Sequence, residues 1–344
     1  MTTANELETT IADILRKGRG GILAADESTG TIAKRFASIQ LENSEENRRA
    51  YREMLFTTKG ASDYVSGVIL YEETLGQKTK DGKPFAALLA EQKVVPGIKV
   101  DTGTVDLPFT KGEKITQGLD GLGERLKGYK QKGARFAKWR AVITIGDGQP
   151  TAPCIETNAH ALARYAALCQ ENGIVPIVEP EVLMDADNAA ERCFDVTSWT
   201  LHEVFDQLHR QRVVLEHMLL KPNMVVSGKK CPTQAPVKQV AELTLRCFRQ
   251  HVPAAVPGIV FLSGGQSDEL ATAHLDAMNR MGPHPWVLSY SYGRALQAPA
   301  LKAWSGKSGN LAAGQKAYFH RAKMNGLAVQ GKYEAAMEKE LAKV

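Results

Sequence analysis

The sequence has 344 residues and 43% hydrophobic content, which allows one large α/β barrel or two ordinary domains. Its 43 Lys and Arg exceed its 38 Asp and Glu, which gives a net charge of +5. This mild excess suits an anionic small substrate. The basic residues do not form the stripe that is typical of a nucleic-acid-binding protein. We expect no membrane span and no signal peptide, because no run of 18 apolar residues occurs and residues 1–15 contain acids without an apolar core.

Short apolar runs rich in β-branched residues recur roughly every 30 to 45 residues and predict eight strands. They are Gly21–Ala25, Val65–Tyr71, Pro96–Val100, Phe136–Thr144, Ile174–Val178, Leu219–Val226, Gly258–Leu262 and Trp286–Tyr292. Stretches with helical spacing lie between most of them, at Asn43–Thr57, His160–Asn172, Thr197–Met218, Pro236–His251 and Ser267–Arg280.

This alternation of strands and helices predicts βαβ units and a parallel sheet. Eight strands match the closed (β/α)8 TIM barrel of the α/β class. A doubly wound open sheet is the alternative, but no Gly-x-Gly-x-x-Gly follows the first strand.

We expect a single domain, 1–344, because no Pro- or Ser-rich linker divides the chain. Lys302–Gly314 is rich in Gly and Lys and predicts a surface loop. Residues 315–344 predict a C-terminal helical tail with breaks at Asn325–Gly326 and at Gly331.

Charged residues stand near the strand ends, and several of them form pairs two positions apart. The two members of such a pair face the same side of a strand. In a barrel the carboxyl ends of all strands converge on one mouth, so these side chains are expected to line one pocket. A structural salt-bridge network is the alternative, although uncompensated desolvation makes a buried network costly. The pairs are Lys99 with Asp101, Lys138 with Arg140, and Glu179 with Glu181.

Lys221 interrupts the apolar run Leu219–Val226. Lysine is almost never fully buried unless it is paired or used. An ammonium in apolar surroundings loses solvation, which favours the neutral amine, and a neutral amine is a nucleophile toward carbonyls. The position therefore indicates a Schiff-base lysine, and the alternative is a strand-end lysine whose amine reaches water.

Two loops could each bind a phosphate group. Ser263-Gly264-Gly265 follows the seventh strand and offers backbone N–H groups, and Arg294 follows the eighth. Residues 26–30 offer hydroxyls on the other side of the mouth, with Thr31, Lys34 and Arg35 just beyond. Either loop alone is also typical of a plain turn, but two candidate sites across one mouth indicate a bisphosphate.

The five cysteines are odd in number and include no Cys-x-x-Cys pair, which favours reduced, structural thiols and a cytoplasmic protein. His202, His209 and His217 have the spacing of one helix face. Since no histidine belongs to a strand-end motif, we predict no metal and no cofactor.

Eight segments in order closely resemble class I fructose-1,6-bisphosphate aldolases: 23–30, 45–49, 97–101, 136–140, 173–181, 219–224, 261–267 and 291–297. The resemblance runs from about Gly18 to Tyr333. It implies a TIM barrel that reversibly cleaves fructose 1,6-bisphosphate to dihydroxyacetone phosphate and glyceraldehyde 3-phosphate through a lysine Schiff base, in glycolysis and gluconeogenesis. It also implies a homotetramer.

The resemblance assigns catalytic roles to matching positions. Lys221 would form the Schiff base, and Glu179 would be the main proton-transfer residue. Asp26 would orient or deprotonate the hydroxyl at the cleaved bond, and Lys138 and Glu181 would lie beside the carbinolamine. Glu179 suits a base because Glu181 lies on the same strand face and a like charge disfavours the ionised form. Lys138 would favour a neutral Lys221 by cation repulsion.

The resemblance also assigns the two phosphate groups and leaves Arg140 to support the pocket. The phosphate nearest the ketone would be held by Ser263, Gly264, Gly265, Ser291 and Arg294, and the far phosphate by Ser28, Thr31, Arg35 and Lys99.

Two features depart from the common family pattern. Thr31 stands where a serine is common, but the hydroxyl remains. Animal and plant members commonly carry a terminal tyrosine that favours the bisphosphate, and no tyrosine follows Tyr333 here. The choice between fructose 1,6-bisphosphate and fructose 1-phosphate is therefore left to measurement.

Two other functions fit a basic barrel mouth. A transaldolase-like Schiff-base transferase would transfer a dihydroxyacetone unit without releasing it. A non-catalytic scaffold would bind acidic peptides and would show no carbonyl-dependent trapping of a lysine.

Overall fold

The computed structural model describes residues 3–16 and 20–343, and within them eight parallel strands close into a barrel. Each strand pairs with the next along the chain, and the last pairs with the first, which confirms the predicted TIM barrel. The strands are β1 (Gly21–Ala25), β2 (Val65–Leu70), β3 (Val95–Lys99), β4 (Phe136–Ile143), β5 (Val175–Val182), β6 (Leu219–Leu220), β7 (Gly258–Phe261) and β8 (Val287–Tyr292).

Helices surround the barrel. The α-helices are Thr3–Leu15, Thr29–Ala37, Glu45–Phe56, Glu72–Gly76, Phe85–Glu91, Leu122–Gln131, Ala152–Glu171, Ala190–Arg210, Val237–His251, Asp268–Arg280, Arg294–Trp304 and Leu311–Val329. Short 3-10 helices cover Ala61–Asp63, Leu215–His217, Ser308–Asn310 and Ala335–Lys343. Several helices begin at a side-chain cap, as where the Ser267 hydroxyl accepts from the Leu270 N–H directly after the β7 loop.

The barrel interior is a packed apolar core. The ring of Phe136 fills space that only glycine leaves open, since a Cβ at Gly97 would lie 2.3 Å from that ring. The helix Thr3–Leu15 packs apolar side chains against the same core at the amino ends of the strands. Apolar packing therefore fills the barrel interior at this end, and polar side chains converge at the opposite end.

Strand β6 is shorter than the predicted Leu219–Val226. The Lys221 N–H still bonds to the carbonyl of Val178, at 2.8 Å, but Pro222 has no N–H to continue the ladder. Beyond this point a side-chain hydrogen bond takes the place of the backbone ladder, since the Asn223 Oδ1 accepts from the Val182 N–H at 2.9 Å. Lys221 therefore lies where β6 ends.

The C-terminal predictions were correct only in part. The predicted break at Asn325–Gly326 is wrong, because Leu311–Val329 is one helix in which Gly326 allows close packing on Tyr64. The break at Gly331 is confirmed by its positive φ of 66°. The loop predicted at Lys302–Gly314 is instead largely helical, and Val344 of the predicted tail lies outside the described residues.

An antiparallel hairpin that the strand pattern did not predict joins Thr104–Asp106 to Lys114–Thr116 beside the mouth. Its strands are only three residues long, too short for a periodicity signal. The Thr116 hydroxyl donates to the carbonyl of Arg140 at 2.7 Å, so the hairpin supports β4 near its carboxyl end.

The helices of the described residues are too short or too polar to cross a bilayer.

Candidate active site

A cavity of about 430 Å³ opens at the carboxyl ends of the strands. Nearly all the predicted site residues line it: Asp26, Ser28, Thr31, Arg35, Lys99, Lys138, Arg140, Glu179, Glu181, Lys221, Ser263, Gly264, Ser291 and Arg294.

A larger cavity, of about 670 Å³, lies at the opposite end between the helix Thr3–Leu15 and the amino ends of β3 and β4. Barrel enzymes carry their chemistry at the carboxyl ends of the strands. The smaller cavity, which also contains the buried charges, is therefore the candidate active site.

Lys221 and Glu179 form the centre of the cavity. Lys221 is 4% exposed, and its Nζ lies 3.1 Å from Oε1 of Glu179 on the neighbouring strand β5. The amine therefore points inward, and the alternative of a strand-end lysine that reaches water is wrong. A nucleophile and a base within hydrogen-bond distance form the minimum unit for covalent catalysis.

Lys138 lies among three carboxylates. Its Nζ is 2.7 Å from Oδ2 of Asp26, 3.5 Å from Oε2 of Glu179 and 3.9 Å from Oδ2 of Asp101. Burial alone would lower the pKa of Lys138, but these carboxylates outweigh burial and hold it above its usual range. Lys138 therefore stays charged.

Asp26 shows the opposite balance. Burial alone would raise the pKa of its carboxyl, but the ammonium groups of Lys138 and Lys221 outweigh burial and hold this pKa well below its usual range. Asp26 is therefore an ionised hydrogen-bond acceptor at neutral pH.

The strand pattern predicted that an uncompensated Glu181 carboxylate would disfavour the ionised form of Glu179, but Glu181 has a cationic partner. The Arg140 Nε donates to Oε2 of Glu181 at 2.5 Å, so a guanidinium compensates that charge. Glu179 instead lies between two lysine ammonium groups. The electrostatic partners of Glu179 come from β4 and β6, and not from the next acid along its own strand.

The loop after β7 and the start of the helix after β8 form one corner of the cavity. Gly264 has a φ of +56°, a conformation that favours glycine, and its carbonyl accepts from the Arg294 guanidinium at 2.8 Å. The Ser291 hydroxyl is buried nearby and has no hydrogen-bond partner in the described part of the chain. An unpaired hydroxyl beside a guanidinium is suited to an anion.

Gly265 does not line the cavity. Its N–H points to the sulfur of Met184 at 3.1 Å, and the side chain of Lys229 covers its α-carbon. The sequence pattern could not distinguish the two glycines, because which N–H faces the cavity depends on the turn of the loop.

A second corner lies across the mouth. The Ser28 and Thr31 hydroxyls are 3.1 Å apart, and the Lys99 ammonium is held by Asp101 at 2.5 Å. A side cavity of about 350 Å³ extends from this corner and is lined by Ser28, Thr31, Lys99 and Arg140 among others.

Arg35 extends toward the first corner, although the resemblance grouped it with the second. Its guanidinium pairs with Glu27 and lies beside Gly293, where a Cβ would be 3.7 Å from the Arg35 nitrogen. Gly293 directly precedes Arg294. The structure thus brings Arg35 to the first corner.

Two acids of the site received no role from the sequence, although both stood in strand-end motifs. Asp101 holds Lys99 and faces Lys138. Glu27 is buried, and Arg52, Gln297 and Arg35 all contact its carboxylate. A charged residue directly after a buried strand was the signal that could have found them.

Among residues 3–16 and 20–343, no three His, Cys, Asp or Glu side chains group as ligands for a metal ion. The predicted absence of a metal remains a prediction. The cysteines within the described residues are free thiols, as predicted, and all of them except Cys231 are buried.

A closed (β/α)8 barrel with a buried lysine and carboxylates at its carboxyl end belongs to the class of TIM-barrel enzymes. A family model described as "Fructose-bisphosphate aldolase class-I" matches residues 6–344. The chain therefore belongs to the class I fructose-bisphosphate aldolase family. It is a lyase that cleaves fructose 1,6-bisphosphate in glycolysis, and class I members act through a lysine Schiff base.

Similar proteins share nearly the whole length. A "Probable fructose-bisphosphate aldolase class 1" of Xanthomonas campestris pv. campestris is 59% identical over 315 residues, 91% of this chain and 94% of that protein. A "Fructose-bisphosphate aldolase 5, cytosolic" of Arabidopsis thaliana is 56% identical over 331 residues, 96% of this chain and 92% of that protein. The solved Plasmodium falciparum aldolase, in complex with TRAP and a small-molecule inhibitor, aligns with a TM-score of 0.95 and 52% identity over 97% of this chain and 96% of that one.

Lys138→Met should destabilise the fold by about 3–5 kcal/mol at pH 8, because it leaves buried carboxylates without their ammonium. The loss of unfolding free energy relative to the unmodified protein should become smaller toward pH 5. Without Lys138, Asp26 loses the cation that most opposes burial, so its pKa rises relative to the unmodified protein and the variant protonates this acid more readily as the pH falls. Urea unfolding at both pH values measures this.

Lys114→Met is the matched control, because it removes an exposed lysine from its pair with Asp106. We expect little change in its unfolding free energy at either pH. A Lys138→Met deficit that is no larger than the control, or that is identical at pH 5 and pH 8, would refute the assigned electrostatics.

Proposed function

We propose that the aldol cleavage takes place in the cavity at the carboxyl ends of the strands and that Lys221 forms the Schiff base. The observation that carries this proposal is the buried Nζ of Lys221, 3.1 Å from a carboxylate that can take its proton. The neutral amine attacks the ketone carbon, and the new C–N bond gives a carbinolamine.

Glu179 then acts as the proton carrier. It returns a proton to the carbinolamine oxygen, which leaves as water and creates the iminium. Its second oxygen stays beside Lys138, at 3.5 Å. Since Lys138 remains charged, it stabilises whichever negative charge develops next to it without changing its own protonation. Glu181, held by Arg140, borders the same space.

Asp26 is proposed to orient the hydroxyl at the bond that breaks. A strongly lowered pKa makes a carboxylate a weak base, so accepting a hydrogen bond from this hydroxyl is the favoured role until the iminium has formed. Once the iminium has formed, Asp26 takes the proton of this hydroxyl, the electrons of the C–C bond flow to the iminium nitrogen, and the aldehyde leaves. The enamine that remains is protonated and hydrolysed.

The two corners of the cavity are proposed to hold the two phosphates. The first corner takes the phosphate nearest the ketone, and Arg35 joins it because of its position beside Gly293. The second corner takes the far phosphate, and Arg140 joins Lys99 there because both line the side cavity. The first corner comprises Ser263, Gly264, Ser291, Arg294 and Arg35, and the second Ser28, Thr31, Lys99 and Arg140.

Family membership favours aldol cleavage over the transferase and over a purely scaffolding protein. A scaffold would also gain nothing from burying the Lys221 amine beside Glu179 below the rim of the mouth.

Borohydride with dihydroxyacetone phosphate should label Lys221 covalently, because reduction traps the imine. Lys221→Met should abolish labelling and cleavage, whereas Lys127→Met, which removes an exposed helix lysine, should leave both intact. Peptide mass locates the label. The proposal fails if Lys221→Met still cleaves the sugar, and the metal-free prediction fails if EDTA stops cleavage and zinc restores it.

Lys99→Met should raise the KM for fructose 1,6-bisphosphate roughly 10- to 100-fold, the effect expected for one charge-assisted hydrogen bond to phosphate. It should leave the KM for fructose 1-phosphate within about twofold, because that substrate lacks the far phosphate. Arg294→Met is the matched comparison and should raise both KM values. Steady-state kinetics with both sugars checks the assignment, and equal effects of Lys99→Met on both would contradict it.

We also propose that residues 1–344 form one domain, that the protein assembles as a homotetramer, and that it acts in the cytoplasm. One apolar cluster runs from the barrel strands into the helix Leu311–Val329, which supports a single domain. The tetramer rests on the family resemblance, and the location rests on the free thiols and on a relative named cytosolic. Light scattering should give the mass of four chains, and a monomer mass would contradict the tetramer.

A further inference from the structure

Gln266 links the two elements that form the first corner of the cavity. Its backbone N–H and its side-chain Nε2 both donate to the carbonyl of Ser263, at 3.2 and 3.1 Å. Its own carbonyl accepts from the Arg294 guanidinium at 3.2 Å. Gln266 is buried behind the loop and does not line the cavity.

The amide of Gln266 is held from behind by His274, on the helix Asp268–Arg280. Its Oε1 lies 2.5 Å from Nδ1 of His274, which is 1% exposed. Because Nε2 of Gln266 is already used on Ser263, Oε1 must be the atom that faces the ring. Nδ1 of His274 must then carry the hydrogen.

The ring has one hydrogen to give. Burial lowers the pKa of His274 to about 4, so the ring is neutral at neutral pH. A neutral imidazole donates from one nitrogen only, and Nε2 is buried without a partner among the described residues. At the nitrogen end of the amide, Nε2 adds to its bond with Ser263 a weak 3.6 Å approach to the sulfur of Met224. The oxygen end is held by the Nδ1–H of His274.

We propose that Gln266 and His274 are positioning residues for the phosphate nearest the ketone. The His274 Nδ1–H orients the Gln266 amide, and the oriented glutamine holds both the loop after β7 and the guanidinium of Arg294 at one spacing. This inference rests on the proposed phosphate-binding role of the first corner. A loop with a wrongly turned amide would misplace Ser263 and Gly264 relative to Arg294 and so weaken phosphate binding.

Two amide substitutions separate the positioning role from simple packing. In His274→Asn the side-chain nitrogen is bonded to Cγ, as Nδ1 is, and can replace the lost donor. In His274→Gln the nitrogen is one bond further out, at the place of Nε2, where no acceptor lies. Both remove the ring, so both should lower the melting temperature.

His274→Gln should raise the inhibition constant of inorganic phosphate and the KM for fructose 1-phosphate about tenfold, the effect expected for one buried hydrogen bond. His274→Asn should stay within about twofold of the unmodified protein in both quantities. Borohydride trapping of dihydroxyacetone, which has no phosphate, should proceed at the same rate in both variants. Equal effects in the two variants would overturn the positioning role and leave only packing.

Arg294→Met separates a failure of the positioning role from a failure of the proposed phosphate site. If it weakens phosphate binding and His274→Gln does not, the positioning role is wrong and the proposed site stands. If Arg294→Met itself leaves phosphate binding unchanged, the proposed site is wrong and this inference falls with it. Should the His274 variants fail to fold, Gln266→Met provides the same test: a tenfold weaker phosphate affinity with intact dihydroxyacetone trapping supports the role, and an unchanged affinity overturns it.

Discussion

The ammonium of Lys138, enclosed by Asp26, Glu179 and Asp101, sets the electrostatics of the whole barrel mouth. Burying these charges is tolerable only because each has an opposite partner within about 4 Å. The same cluster holds Asp26 ionised and places Glu179 against Lys221. Stability and proposed chemistry thus depend on one group of contacts.

The barrel supplies the geometry that the cluster requires. Strands β4 and β5 are paired in a register that places the backbone of Arg140 beside that of Glu179. The short β6 ends just before Lys221, and the side chain of Lys221 lines the cavity. Loops after β7 and β8 then contribute groups suited to an anion, and hydrogen bonds behind them hold their positions.

The sequence predicted the architecture well because its signals were local. Continuous apolar runs marked each strand to within a few residues, except at β6, where Pro222 ended the ladder early. Gly326 was taken for a helix break, yet it lies within a helix, since only the packed partner Tyr64 explains a glycine there. The hairpin of Thr104–Thr116 was missed because strands of three residues carry no periodicity.

For the site, the residue types alone determined that a lysine, acids and phosphate-suited loops would meet at one mouth, since strand ends converge in a parallel barrel. Only the tertiary structure decided which charges are partners. It paired Glu181 with Arg140, moved Arg35 to the side of Gly293 and turned the Gly265 N–H away toward Met184. The reason is physical: strand order places a side chain at the mouth, but ion pairs and loop turns depend on distances of an ångström between residues far apart in the chain.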